Sequence, residues 1–353
     1  MWRPCGVFDD SYVAEMTIVR TWPQRIMTIV GLVILFLMPL YVPGYILNTV
    51  NHIAITIIAV QGVNILSGMT GQITLGQASF MAVGAYTTTL LIKFAGWNFW
   101  MAMPIGVAAA GFVGIIVGLP SLRVKGFYLA LATVAAQFII PWLIINVRPD
   151  LTGGTDTLTV PMISIFGMKL DTQGKLFYVF MTAAVLVTAG TRNILRTRLG
   201  RAFIMVRDND RSAEILGVSV FKYKLLSFFV CAMLAGLAGS LYAVWMRGIA
   251  PDHFSLHESI WYLGMVIVGG MGNVAGAVFG VILIRSLSLL VTYIGPMIGG
   301  MLPSAQAIAV ESGLGPIVFG LVVLAFLIFE PKGLSRIWER VRDFYRLWPY
   351  PYK

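Results

Sequence analysis

The sequence predicts an all-α, polytopic membrane helix bundle of about ten transmembrane helices, and three observations carry that prediction. Residues 26–92 hold no Asp, Glu, Lys or Arg, a run of 67 residues flanked by Arg25 and Lys93. An α-helix needs roughly 20 apolar residues to cross a bilayer core, so the run is long enough for about three spans. Its breaks at Pro39, Pro43-Gly44 and Gly68 to Gly71 divide it accordingly. Hydrophobic residues make up 58% of the chain and charged residues 11%, too few to clothe a soluble protein of 353 residues in polar surface. The basic residues, finally, collect in short segments between apolar runs, the pattern of a positive-inside topology. That placement, rather than nucleic-acid binding, accounts for the net charge of +10.

Apolar runs separated by charges, Pro or Gly place helices near 26–43, 46–66, 71–92, 99–119, 126–146, 175–191, 225–246, 259–272, 274–293 and 314–329. Residues 259–293 are barely enough for two spans, and Gly269-Gly270-Met271-Gly272 sits between them, so a short or re-entrant element is an alternative there. With the N-terminus inside, the segments 1–25, 120–125, 192–224 and 330–353 are cytoplasmic and hold 19 Lys and Arg, against five in the outward segments. That bias orients both termini to the cytoplasm. Five helices per half make inverted five-helix halves geometrically feasible, although no sequence repeat supports them. Residues 1–25 contain Asp9, Asp10 and Glu15 and no apolar core of a signal peptide, so the first span is expected to act as an uncleaved insertion signal. The chain then reads as a cytoplasmic segment 1–25, a membrane domain 26–329 with a cytoplasmic loop 192–224, and a tail 330–353. In the tail Ile337, Val341, Phe344, Tyr345 and Trp348 recur at helical spacing between arginines, as in an amphipathic helix at the headgroup layer.

Two segments carry the functional expectation. In 207–217, Arg207-Asp208-Asn209-Asp210-Arg211-Ser212-Ala213-Glu214 begins with cap-forming and acidic residues, and Gly217 suits a left-handed stop. The spacing predicts a two-turn helix with an exposed side; topology signal and partner docking both remain open. In 71–84, Gly71, Gly76 and Gly84 offer small faces, and Gln72, Thr74, Gln77 and Ser79 put hydrogen-bonding groups into the membrane. Helix packing and contact with a translocated solute are both compatible with that pattern. Thr152-Gly153-Gly154 falls in an outward loop, where a plain turn is the simplest reading. Arg285 in an apolar helix costs about 2.5–3.5 kcal/mol on insertion scales and is expected to face protein, water or a headgroup. His52 reads as an interior packing residue.

These residues also carry a resemblance. Asp210-Arg211-Ser212-Ala213 with Gly217 resembles the EAA loop of bacterial ATP-binding-cassette importer permeases. The block 71–80 with Gly84-Ala85-Tyr86 is similar to one that marks branched-chain amino acid permeases. Leu119-Pro120-Ser121-Leu122-Arg123, Tyr128-Leu129-Ala130, Thr152-Gly153-Gly154, Leu199-Gly200-Arg201-Ala202, Ala235-Gly236-Leu237-Ala238-Gly239, Gly269-Gly270-Met271-Gly272-Asn273 and Pro331-Lys332-Gly333-Leu334 follow in order. The set covers roughly 30–335 and resembles the LivM-type permease subunits; Asp210 and Ser212 stand where that family usually has Glu and Ala.

The resemblance implies import of branched-chain or related hydrophobic amino acids across a bacterial inner membrane, with urea, short amides or aromatic acids as alternatives. It implies a second permease subunit, two ATP-binding subunits carrying ATP and Mg, and a periplasmic or lipid-anchored solute-binding protein. Arg207, Asp208, Asp210, Ser212, Ala213, Glu214 and Gly217 would then couple to the ATPase, and Thr152, Gly153 and Gly154 would dock the binding protein. No cofactor is expected on the chain itself. No G-x-x-x-x-G-K-[ST] occurs, so it lacks a Walker A loop, and neither a catalytic constellation nor a metal motif is visible. A stand-alone secondary transporter is the rival, but the predicted spans lack the buried carboxylate such a carrier commonly uses.

Overall fold

A computed structural model describes residues 22–122, 126–161, 164–165, 168–169, 172–299, 304–330 and 332–347. Most of the predicted N-terminal segment, and Trp348 in the tail, lie outside the described residues. The helices are α1 (Trp22–Tyr41), α2 (Gly44–Val63), α3 (Gln77–Ala95), α4 (Phe99–Gly118), α5 (Phe127–Asn146) and α6 (Gln173–Arg196). There follow α7 (Arg198–Asp208), α8 (Asp210–Ile215), α9 (Val220–Met246), α10 (Leu256–Gly269), α11 (Val274–Gly299), α12 (Ser304–Phe329) and α13 (Leu334–Leu347).

The polytopic helical bundle stands, but the count of ten spans is not confirmed. Among the described residues seven helices are long and apolar enough to cross a membrane, or up to eight if the bent pair ending in α13 is one span. The five-and-five division rested on that count and is likewise not confirmed. The segment predicted at 259–272 shows why. It forms α10, whose 14 residues rise about 21 Å, short of a bilayer core of about 30 Å. After α9 the chain pairs Gly248–Ile249 with Leu158–Thr159 and then turns back into the bundle as a 3₁₀ turn, Pro251–Phe254. The Phe254 carbonyl accepts from Gln137 Nε2 at 2.6 Å, and Gln137 lies midway along α5. Thus α10 starts at mid-depth, the re-entrant alternative.

A second interruption follows α2. The helix loosens into a π-helical stretch, Asn64–Met69, and residues 70–76 return as an irregular hook before α3 begins. Ser67 donates to the Gln72 carbonyl at 3.1 Å and Thr70 to the Leu66 carbonyl at 2.6 Å. Such irregular backbone is tolerable within a bilayer only where protein satisfies it.

The centre of the bundle is α9 packed against α3 and α4. Small residues permit that approach: Gly84 lies directly on the Gly236 backbone, and Gly114 faces Ala232. Thr88 and Ser240 hydrogen-bond across the α3–α9 contact at 2.8 Å. Outward-facing side chains such as Phe112, Phe138, Trp142 and Leu186 are exposed, as lipid-facing residues are. The amphipathic tail helix forms as α13, and Glu330 holds it back against α12 through Arg336 and Arg340 at 3.6 and 3.1 Å.

Gly84→Leu should break the α3–α9 contact, because its side chain would enter the Gly236 backbone; overpacking typically costs about 1–3 kcal/mol. Gly44→Leu meets open space and serves as the control. Thermal unfolding of the detergent-solubilised protein should fall for the first and hold for the second; equal midpoints would remove the packing argument.

Candidate functional site

The predicted loop 192–224 takes in the end of α6, which runs to Arg196, and the start of α9 at Val220. Between them the chain folds as two helices. The short one, α8, is capped as the sequence indicated: Asn209 Oδ1 accepts from the Arg211 and Ser212 amides at 3.0 and 3.2 Å. Gly217 has φ +80 and faces open space, so it supplies the left-handed stop. One boundary moves. Arg207 and Asp208 close α7 rather than open α8, because Asn209 adopts the extended cap conformation between them.

The predicted residues divide by environment. Ala213 is buried against Val206 and Val220. Ser212 and Glu214 are exposed, and beyond them Ile215 and Leu216 are 86% and 69% exposed. An apolar tip on a rigid, capped helix is what a partner groove can grip. Sequence reading passed over both residues, although two aliphatic side chains immediately before the stop glycine were the available signal. Asp210 turns inward, meeting Lys224 Nζ at 2.8 Å in a pair whose side chains are 19% and 9% exposed.

The glycine block is a packed and hydrogen-bonded structure. Gln72 Nε2 donates to Ser227 Oγ at 2.8 Å, and Thr74 Oγ1 accepts from the Gly76 amide at 3.2 Å. Gln77 Nε2 donates to the Ala59 carbonyl at 2.8 Å, while Cys231 Sγ donates to Gln77 Oε1 at 3.1 Å. At the start of α3, Gln137 Oε1 accepts from the Ser79 amide at 2.9 Å and from Ser259 Oγ at 3.0 Å. Ser259 Oγ accepts in turn from the Ala78 amide at 2.9 Å. Every one of these polar side chains is buried. The free amides of α3 are thus satisfied by α5 and α10, joining two helices that both begin at mid-depth.

The structure brings the two predicted groups together. Arg207 Nη1 donates to the Gly68 carbonyl at 3.0 Å, at the end of the π-helical stretch. Gly71, with φ +70, leaves room for the Arg207 stem: a Cβ there would lie 3.0 Å from Arg207 Cγ. Gly68 lies against Gly272 in the α10–α11 turn, and Asn64 Oδ1 accepts from the Gly272 amide at 2.8 Å. Gln61 Nε2 donates to the Val274 carbonyl at 3.0 Å. A cleft of about 400 Å³ separates the 70–72 hook from α7 and α8, with Arg207, Asp210 and Lys224 among its walls. Asn64, Gln61, Gln137, Ser259 and Ser227 were missed by sequence reading. Their only signal was polarity within apolar runs, which cannot name a partner 100 or more residues away.

Thr152, Gly153 and Gly154 are not brought to this site. Thr152 ends a single helical turn and spends its hydroxyl on the Ile144 and Arg148 carbonyls at 2.7 and 2.9 Å. Gly153 and Gly154 follow with positive φ, as a plain turn requires. His52 stacks on Trp245 at 4.6 Å, an interior packing role. Among the described residues no three His, Cys, Asp or Glu side chains are placed to hold a metal ion.

The family described as branched-chain amino acid transport system / permease component matches residues 45–329. The high-affinity branched-chain amino acid transport system permease protein LivM of Escherichia coli (strain K12) is 30% identical over 288 residues, covering 75% of this chain and 68% of the relative. The protein of the same name in Salmonella typhimurium is 29% identical with the same coverage. The L-arabinose transport system permease protein AraH of Escherichia coli is 23% identical over 330 residues, covering 88% of this chain and 91% of the relative. No solved structure matches the chain.

Asp210→Asn should lower thermal stability by about 1–3 kcal/mol, because it strands the mostly buried Lys224 ammonium. The double variant Asp210→Asn with Lys224→Met should recover most of the loss. A double-mutant cycle on unfolding midpoints checks this; additive losses would mean that the two residues act separately.

Proposed function

We infer the function from one premise: the chain belongs to the family of branched-chain amino acid transport system permease components. As a member it is a membrane transport subunit and not an enzyme, and its apolar helices make it a multi-pass membrane protein. Within that family we propose the permease subunit of an ATP-binding-cassette importer, working in a bacterial inner membrane with both termini in the cytoplasm. It pairs with a second permease chain and with two subunits that bind ATP and Mg. A periplasmic or lipid-anchored solute-binding protein delivers the substrate to the outward face near Thr152, Gly153 and Gly154. The substrate is a branched-chain or related hydrophobic amino acid.

The observation that carries this reading is the exposed apolar tip of α8, Ile215 and Leu216, on a helix whose root is locked by Ala213 and the Asp210–Lys224 pair. The tip enters a groove of the ATP-binding subunit. When that subunit closes on ATP, α7, α8 and the first turns of α9 move as a unit, since Val206, Ala213 and Val220 form one small core. Arg207 transmits the displacement to the Gly68 carbonyl, where the interrupted α2 meets the α10–α11 turn. Helices on the two sides of that junction then exchange inward and outward access.

Ile215→Ser with Leu216→Ser should abolish co-purification of the ATP-binding subunit while leaving the unfolding midpoint of the permease within about 0.5 kcal/mol, as exposed substitutions do. Retention of the partner would sink the docking assignment. Replacing Arg207 by Gln should leave docking intact and raise the ATP hydrolysed per solute imported, measured in proteoliposomes. An unchanged ratio would remove the transmitting role.

A further inference from the structure

Apart from Lys175 at the edge of one, the predicted spans contained a single charge, Arg285, and no acid. The structure supplies the acid. Glu258 lies in the first turn of α10, the helix that starts at mid-depth, and its Oε2 accepts from Arg285 Nη2 at 3.3 Å. Arg285 sits near the middle of α11. A charged pair within the apolar bundle is costly, so its geometry bears on its purpose.

That geometry is incomplete. A guanidinium carries five N–H donors, and one of those on Arg285 has a protein acceptor among the described residues. Its Nε is buried and unpartnered, and the side chain as a whole is 10% exposed. The Glu258 side chain is 30% exposed, and Tyr262 lies within its electrostatic reach. His52 and Tyr242 lie within electrostatic reach of the pair, and neither supplies a second anion. A pair serving only to hold two helices would be expected to use its donors more fully.

The position is equally specific. The neighbouring Ser259 is fixed to Gln137 and to the Ala78 amide, so Glu258 projects from the anchored end of α10 rather than from a loose loop. It stands one residue from the joint between α3, α5 and α10.

We propose that Glu258 and Arg285 recognise the charged backbone of an α-amino acid inside the membrane, Glu258 taking the ammonium and Arg285 the carboxylate. This rests on the importer reading above and adds the residues that read the substrate class. A zwitterion re-pairs both protein charges without changing the net charge at mid-depth. A neutral sugar re-pairs neither, and a solute with one charge leaves one partner stranded.

The test uses the whole complex, with its second permease, ATP-binding subunits and binding protein, reconstituted in proteoliposomes and supplied with labelled leucine. The charge-swapped variant E258R/R285E keeps an ion pair between α10 and α11 but reverses the polarity that the solute meets. The variant E258Q/R285M keeps volume and removes both charges. Each should assemble with its partners, judged by gel filtration, and import leucine at least tenfold more slowly than wild type. Wild-type import by either assembled variant would show that the pair only holds helices together and would overturn the proposal. Failure of both to assemble would overturn it as well, by making the pair a folding element. A wild-type complex that imports no leucine refutes the importer reading itself, before any variant is compared.

Discussion

The backbone contact between Gly68 and Gly272 is the constraint on which this end of the bundle depends. Two helices are interrupted there, α2 by its π-helical end and α10 by the turn into α11. In a bilayer their freed amides and carbonyls have no water to turn to. Each interruption is therefore satisfied by the other. Asn64 accepts from the Gly272 amide and donates to the Asn273 carbonyl at 3.3 Å, while Asn273 caps α11 through the Ala275 and Gly276 amides at 3.0 and 3.1 Å. A side chain on Gly68 would collide with the Gly272 backbone, so the exchange requires glycine. A third turn joins the stack, where Gly333 lies on the Gly270 backbone.

Around this junction the molecule has two centres, the α3–α4–α9 core and the stacked turns. The α3–α4–α9 core is held by backbone-to-backbone approach at small residues, a contact with little room for sliding. The junction adds side-chain hydrogen bonds to its own glycine contact, and Arg207 ties α7 to it at Gly68. The glycine block belongs to both centres: Gly84 packs in the core, and Gly71 makes way for Arg207.

Much of this was legible in the chain. The cap at Asn209 and the stop at Gly217 depend on residues within a few positions of each other, so local chemistry announces α8. Close packing at Gly84 was visible because a glycine inside an apolar helix has few other uses. The reading of α10 as a span was less secure, because hydropathy reports how apolar a segment is and not the depth at which it starts. Glu258 was taken to lie outside the spans for that reason. Arg207 and Asp208 were assigned to α8 because acidic residues before a helix resemble its first turn, whereas the extended Asn209 ends one helix and begins another.

By itself the sequence determined the solvent of this protein, the bias of its basic loops, and the local forms of its helix ends. Those properties follow from composition and from interactions between near neighbours. Tertiary structure alone decided that Gly68, Gly272 and Gly333 stack in one place, that Lys224 neutralises Asp210, and that Glu258 finds Arg285. Each joins residues distant in sequence or on separate helices, and a linear pattern records the type of such a residue without naming what it will meet. Polar groups held away from water must find partners within the fold, and only the fold determines which ones come within reach.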